Sequence, residues 1–226
     1  MSDKPLGPPR YIVPECLEQV RIRHRDEQLL VVEKPAFLLS VPGRGPENRD
    51  SVRWRLEQQF PEVRMVHRLD LDTSGLMIIA LQAEAQRRLN RAFAERRVDK
   101  EYQAVVAGVL QQDRGEIDLP IAPDWQNRPR QKICAERGKA ALTRYRVLER
   151  DRRDDSTRVQ LLPVTGRSHQ LRIHLAESGH PILGCDLYAP PEIEARSPRL
   201  MLHACAIGFE HPETGQWMRF DSDIPF

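Results

Sequence analysis

No stretch of this chain approaches the roughly 18 consecutive apolar residues that a membrane-spanning helix needs. Residues 1–9 hold a lysine and several prolines where a secretory leader would hold an apolar core. Both absences favour a cytoplasmic protein with no membrane partner. Cysteine is sparse and scattered: Cys16, Cys134, Cys185 and Cys205 form no Cys-x-x-Cys pair, which argues for reduced thiols rather than a disulfide framework or a zinc site. The seven histidines do not restore a metal reading, because His169 and His174 miss the i, i+4 spacing that sets two ligands on one helical face. No metal is expected, and no internal repeat is present. Lysine is scarce as well: of 35 basic residues five are lysine, which leaves 30 arginines.

What is there fits a soluble globular chain, with 40% hydrophobic and 30% charged residues in a length of 226 that suits one substantial core or two small domains. One main domain over residues 21–226, preceded by an extended proline-rich arm over 1–20, is the simpler division. Net charge is only +2. Arginine nevertheless suits phosphates and bases, since its planar fork donates bidentately and stacks on rings, although an arginine-rich genome would account for its abundance equally well. Clustering says more than the total. Within residues 125–146 stand Arg128, Arg130, Lys132, Arg137, Lys139, Arg144 and Arg146 against Glu136 alone, with Trp125 at the start, a strip suited to an RNA backbone.

Residues 28–33 predict a strand ended by Lys34-Pro35, and residues 41–46 a turn-rich loop. Asp50 or Ser51 can cap a short helix containing Val52, Leu56 and Gln59, stopped at Phe60-Pro61. Residues 65–69 read as extended, 70–75 as a turn and 76–81 as a buried strand, so a polar loop lies between two core strands. Residues 83–97 predict an amphipathic helix, Leu89, Ala92 and Phe93 facing in and a basic face out. Further strands are expected over 102–110, 142–148, 158–164 and 200–209. Ser168 is the expected cap of a helix running to Ser178, with Gly179 in the stop position. Strands outnumber helices and are often joined without one, so the expected class is α+β around a large mixed, mostly antiparallel sheet flanked by helices and loops.

Asp70 stands where an extended segment gives way to a turn, a place where a carboxylate can be held rigidly and yet face a cleft. Local sequence leaves several readings open. Asp70 can be an Asx-turn acceptor, a role that fits Asp72 better. The two can be the paired carboxylates of a glycosidase, although i and i+2 on a strand are only about 7 Å apart and a turn scrambles even that. Ser74 lacks the Gly-x-Ser-x-Gly context of a nucleophile.

The phrase His67-Arg68-Leu69-Asp70, two residues, then Thr73-Ser74-Gly75-Leu76 resembles the signature of the RluA family of pseudouridine synthases. Lys34-Pro35 with Leu38-Leu39-Ser40-Val41-Pro42-Gly43 is similar to that family's early segment, and Lys100-Glu101-Tyr102 to its tyrosine segment. Gly166-Arg167-Ser168-His169-Gln170-Leu171-Arg172-Ile173-His174 is similar to its arginine segment, and Gly179-His180-Pro181-Ile182-Leu183-Gly184 and Leu200-Met201-Leu202-His203-Ala204 complete the order. Asp118-Leu119-Pro120, Asp124-Trp125-Gln126-Asn127-Arg128-Pro129 and Gly138-Lys139 resemble the family's founding, dual-specificity branch. Two positions depart from the pattern. Phe37 stands where the family usually has Gly, and Cys185 follows Gly184 where an acidic residue is common, with Asp186 next.

The resemblance implies a pseudouridine synthase fold with a central RNA-binding cleft, and residues 21–226 as a catalytic domain with no room for an S4 domain. It implies an isomerase acting on specific uridines of structured RNA, in large-subunit ribosomal RNA and in the anticodon stem-loop of transfer RNA. A monomer is expected. By the same carry-over Asp70 is the catalytic carboxylate, Arg172 the ion-pair partner that orients it, and Tyr102 the ring that stacks on the uracil and helps remove its C5 proton. Leu202 is an apolar floor under the base. Arg68 fills the gap left by the everted nucleotide, with His67 as a helper, and Arg128, Arg130, Lys132 and Arg167 are candidates for the RNA backbone. Pseudouridine formation breaks N1–C1′, turns the uracil and joins C5 to C1′ without redox change, so no cofactor is expected. The rival is a catalytically inactive RNA-binding or ribosome-assembly module, against which the intact Asp70, Tyr102 and Arg172 set speaks.

Overall fold

The computed structural model describes residues 12–226; the part of the expected arm over 1–11 lies outside the described residues. Residues 12–20 run without helix or strand. They are pinned by Asn48, whose Oδ1 accepts from Val13 N–H at 2.8 Å, and by Arg55, which donates to the carbonyls of Cys16 and Glu18.

The chain begins with β1 (Arg21–Arg25) and β2 (Leu29–Lys34), then a 3-10 turn (Pro46–Asn48) and α1 (Val52–Glu57). The Asp70 loop lies between β3 (Arg64–Met65) and β4 (Ser74–Ala80), and α2 (Ala83–Ala94) leads into β5 (Asp99–Ala107). Next come β6 (Arg114–Asp118), the small hairpin β7 (Ile121–Pro123) and β8 (Gln131–Ile133), and the long pair β9 (Leu142–Asp151) and β10 (Ser156–Pro163). Helices α3 (Gln170–Glu177) and α4 (Pro191–Glu194) precede β11 (Leu202–Glu210) and β12 (Trp217–Asp221). Ten strands make one sheet in the order β1-β2-β4-β11-β5-β10-β9-β6, with β3 paired to β4 and β12 to β11. Every pairing in it is antiparallel except that of β4 with β11. This is the α+β architecture that the strand-rich pattern predicts.

The unbroken apolar runs of β2 and β4 follow from burial on both faces. Leu30, Val32, Met77 and Ile79 pack on one side with Val52 and Leu56 of α1. Leu29, Val31, Leu76 and Ile78 pack on the other with Ala85, Leu89 and Ala92 of α2. A second core joins Ala104 and Val106 of β5 and Val159 and Leu161 of β10 to Leu171 and Leu175 of α3. Tyr102 touches both the first core and this one, so it stands at the seam between the two halves.

Three local expectations are refined. Ser51, not Asp50, caps α1 by accepting from Trp54 N–H at 3.2 Å, while Asp50 pairs with Arg55. Ser74 and Gly75 belong to β4 rather than to the turn, because β11 pairs with them. Ser168 does not cap α3: the position before the helix is His169, left-handed at φ 56°, and Gln170 folds its Oε1 back to accept from Arg167 N–H at 3.0 Å and from the Thr165 hydroxyl at 2.7 Å. Gly179, with φ 84°, does follow the helix end.

The parallel contact of β4 with β11 is short, His203 opposite Ser74 and Ala204 opposite Gly75. Gly75 has φ 119°, and a Cβ built there would meet the Ala204 carbonyl oxygen at 2.3 Å. No side chain fits without separating the strands. The variant Gly75→Ala is expected to lose at least about 2 kcal/mol of stability, read as a lower urea midpoint at unchanged slope.

Candidate active site

The loop carrying Asp70 is clamped on both sides. Before it, Leu69 and Ser40 exchange bonds, the serine hydroxyl donating to Leu69 O at 2.7 Å and accepting Leu69 N–H at 3.1 Å. After it, the fully buried Lys34 donates to the carbonyls of Leu71 (2.9 Å), Leu38 (2.7 Å) and Pro35 (2.9 Å). Burial pushes the Lys34 ammonium down to about 7, against the opposing pull of Asp72 and Asp70. Thr73 N–H donates to Asp70 O at 3.3 Å and closes the turn.

A cavity of ≈ 390 Å³ opens above this turn, and Asp70, Tyr102, Arg172, Arg68, His67, Leu202 and Arg167 all line it. The residues nominated from distant parts of the sequence thus line one cavity. Tyr102 keeps a neutral phenol: burial first, then the nearby Asp70, raises its pKa well above the ordinary value. Its hydroxyl forms no hydrogen bond among the described residues, and so it is offered to the cavity. Leu202 is buried and supplies apolar floor. Arg68 is exposed at the rim with no ion pair among the described residues.

One expectation is corrected. Arg172 does not make its ion pairs with Asp70. It is 2% exposed, its Nη1 lies 3.7 Å from Asp72 Oδ2, its Nη2 donates to Asp186 Oδ1 and its Nε to Cys185 Sγ at 3.4 Å. The turn aims Asp72 at the guanidinium, and Asp186, next to Cys185, supplies the second carboxylate. Burial works against the charge of Arg172, but Cys185, Asp70 and Asp186 outweigh it and hold the guanidinium protonated. Asp72 pays the counterpart: burial raises its pKa, opposed by Arg172. His67, expected as a substrate helper, is part of the wall. Its Nε2 accepts from Ile78 N–H at 2.8 Å and its ring lies against Phe93, centroids 4.7 Å apart.

The basic strip divides. Arg128, Arg130 and Lys132 sit on the hairpin of β7 and β8, exposed and outside the cavity. Arg128 lies 3.9 Å over the ring of Trp125, itself 68% exposed, and Arg130 lies 5.5 Å over Tyr188. Arg144 is on β9 and pairs with Glu116 at 2.8 Å. Its strand lies between β10 and β6, and its side chain is exposed, outside the cavity.

Sequence reasoning missed His169. Its Nε2, at 4.0 Å, is the nearest basic nitrogen to Asp70 Oδ1 among the described ion pairs, and its Nδ1 meets the Tyr188 hydroxyl at 2.8 Å. Tyr188 in turn accepts from Gln131 N–H at 2.8 Å, which ties the hairpin to the cavity. Burial lowers the His169 pKa, Asp70 pulling the other way. Only its position in the arginine segment could have pointed to it. A second polar chain supports the seam: Arg199 donates to Ser74 Oγ, which meets His203 Nδ1 at 2.7 Å, and His203 Nε2 meets Ser222 Oγ at 3.0 Å.

The sequence pattern of RNA pseudouridylate synthases matches residues 28–177, a span that contains Asp70, Tyr102 and Arg172. The chain belongs to the RNA pseudouridylate synthase family. It is an isomerase of this family by the same match, and relatives agree. The dual-specificity RNA pseudouridine synthase RluA of Yersinia pestis is 52% identical over 205 residues, 91% of this chain and 99% of that protein. The same-named protein of Escherichia coli strain K12 is 48% identical over 205 residues, 91% of this chain and 93% of its own. Human RNA pseudouridylate synthase domain containing 1 has the same fold, with a TM-score of 0.78 at 32% identity, covering 94% of this chain and 86% of the human one.

Two imidazoles of this pseudouridylate synthase stay neutral in the fold: burial and Lys100 push His67 down to about 3, and burial and Arg199 push His203 down to about 4. Unfolded, each takes up a proton near its ordinary value of 6.5. The unfolded chain therefore binds more protons between about pH 6.5 and 4, and stability falls as pH drops through that window. Urea midpoints should decline from about pH 7 to 4.5, and His203→Asn should flatten the decline.

Proposed function

We propose that the chain isomerises uridine in large-subunit ribosomal RNA and in the anticodon stem-loop of transfer RNA, with Asp70 as the catalytic carboxylate. The supporting observation is the cavity itself, where the Asp70 carboxylate, the unpartnered Tyr102 phenol and the Leu202 side chain face a space of ≈ 390 Å³. That volume is at the small end of ligand pockets. It suits one nucleotide and not a duplex, so the target must be everted from its stack. The two-substrate assignment rests on the names of the relatives from Yersinia pestis and Escherichia coli.

In this reading the everted uracil lies on Tyr102 and Leu202, and Arg68 stacks in the gap it leaves. Asp70 meets the nucleoside as a carboxylate able to add covalently and leave again, or to take a ribose proton. Once the N1–C1′ bond has broken, the base turns within the cavity, C5 joins C1′, and the C5 proton is lost while N1 gains one. Tyr102 stands beside that proton. Arg172 acts on Asp70 at longer range, through the fixed charge it holds with Asp72 and Asp186. Arg128, Arg130, Lys132 and Arg167 supply salt-sensitive contacts to the backbone.

Tritium release from RNA labelled at uridine C5 measures the reaction directly. Asp70→Asn should lower the rate about a thousandfold or more while the thermal midpoint stays within a few degrees. Undiminished release would remove Asp70 from the chemistry, and a wild-type chain that binds these RNAs without releasing tritium would be a binding module instead.

A further inference from the structure

Lys100 has no counter-ion among the described residues. Its side chain lies on the cavity-facing side of β5, two residues from Tyr102, and lines both the main cavity and a side cavity of ≈ 190 Å³. It forms no ion pair and no hydrogen bond among the described residues. Asp70 lines the main cavity too but makes no ion pair with Lys100, and the side cavity holds charges of its own sign. Arg96 and Arg167 line the side cavity with it, and His67, kept neutral, is the nearest imidazole to feel its charge. The surroundings depress the ammonium's pKa, burial being the larger cause and Arg96 the second. Gly166 lies beside the amine, a Cβ built there standing 3.7 Å from Nζ, and both line the main cavity.

A mostly enclosed ammonium without an anion is costly to the fold. Elsewhere in the same site the enclosed cations are satisfied: Lys34 by three carbonyls, Arg172 by two carboxylates and a thiol. Lys100 is the exception, and it sits beside the space for the substrate. Side chains two apart on one strand face are about 7 Å apart, which is the reach from a base stacked on Tyr102 to its own backbone. A compact ammonium with three donors suits a phosphate oxygen, and Arg167 adds a second cation there.

We propose that Lys100, with Arg167 beside it, is the binding site for the phosphodiester that flanks the everted uridine, so that one strand grips both the base and the backbone of the target nucleotide. The site rests on the reading of the cavity as the seat of a flipped nucleotide. It accounts for the missing anion, because the RNA brings it.

The test is a cycle of protein and RNA changes. Wild type, Lys100→Met and Lys100→Arg are measured on a synthetic anticodon stem-loop in which one methylphosphonate replaces each loop phosphate in turn, read both as tritium release and as equilibrium binding. Lys100→Met should lower kcat/KM at least about tenfold on all-phosphate RNA, and Lys100→Arg should recover most of it. One neutral linkage next to the converted uridine should weaken wild type by a similar factor and leave Lys100→Met almost unaffected. Lys100→Met should also raise the urea midpoint, since it removes a buried charge without a partner. Losses that multiply in full at every linkage, or a lowered midpoint, would overturn the assignment. Coupling in binding with no tritium release from wild type would keep the phosphate site and overturn the isomerase reading alone.

Discussion

One row of backbone bonds positions the chemistry. Ala204 in β11 lies between Gly75 in β4 and Tyr102 in β5, so the turn that carries Asp70 and the strand that carries the phenol are set by a shared neighbour. That row can close only because residue 75 has no side chain. Leu202 lies two residues along β11 from Ala204, and α3 packs on the same half of the sheet through Leu171 and Leu175, which brings Arg172 to the opposite wall. Tyr102 and Leu202 are therefore placed by sheet register, while Asp70 sits on a turn clamped by Ser40 and Lys34 and Arg172 is carried by α3.

Charge is arranged with the same economy of neighbours. The titratable groups around the cavity are not a single pair but a short series: Asp70 near His169, Asp72 and Asp186 on Arg172, and Lys34 beneath the turn. Holding Arg172 on two other acids leaves Asp70 without a bonded counter-ion at its oxygens, hence available to a substrate, while the guanidinium still contributes a positive potential. The neutral imidazoles of His67 and His203 serve as hydrogen-bonding braces in this setting.

Much of this was legible in the chain. The doubly buried strands β2 and β4 announced themselves as apolar runs, α2 as an amphipathic helix, and the Asp70, Tyr102 and Arg172 segments by their resemblance to known phrases. Other parts carry no local signal. The strands β1, β6 and β12 are charged and mostly exposed, and they become strands only because a neighbouring edge offers hydrogen bonds. Ser168 looked like a cap because serine before an apolar run usually is one; no side chain caps α3, and Gln170 instead reaches back to the Arg167 N–H and the Thr165 hydroxyl. Which acid would hold Arg172 depended on the aim of a tight turn, which spacing along the chain does not encode. Phe37 is the clearest departure that the structure absorbs: it takes the left-handed conformation, φ 61°, that a glycine would adopt at no cost.

The pairing of Ser74 with His203 joins residues separated by 129 positions. Bringing such distant segments together is an expensive loop closure and belongs among the slow, non-local events of folding. During synthesis the Asp70 turn and its early strands exist long before β11 does. The Asp70 carboxylate consequently has no floor, no facing phenol at the right height and no cavity until almost the whole polypeptide has been made, so the growing chain carries it on an unfinished surface.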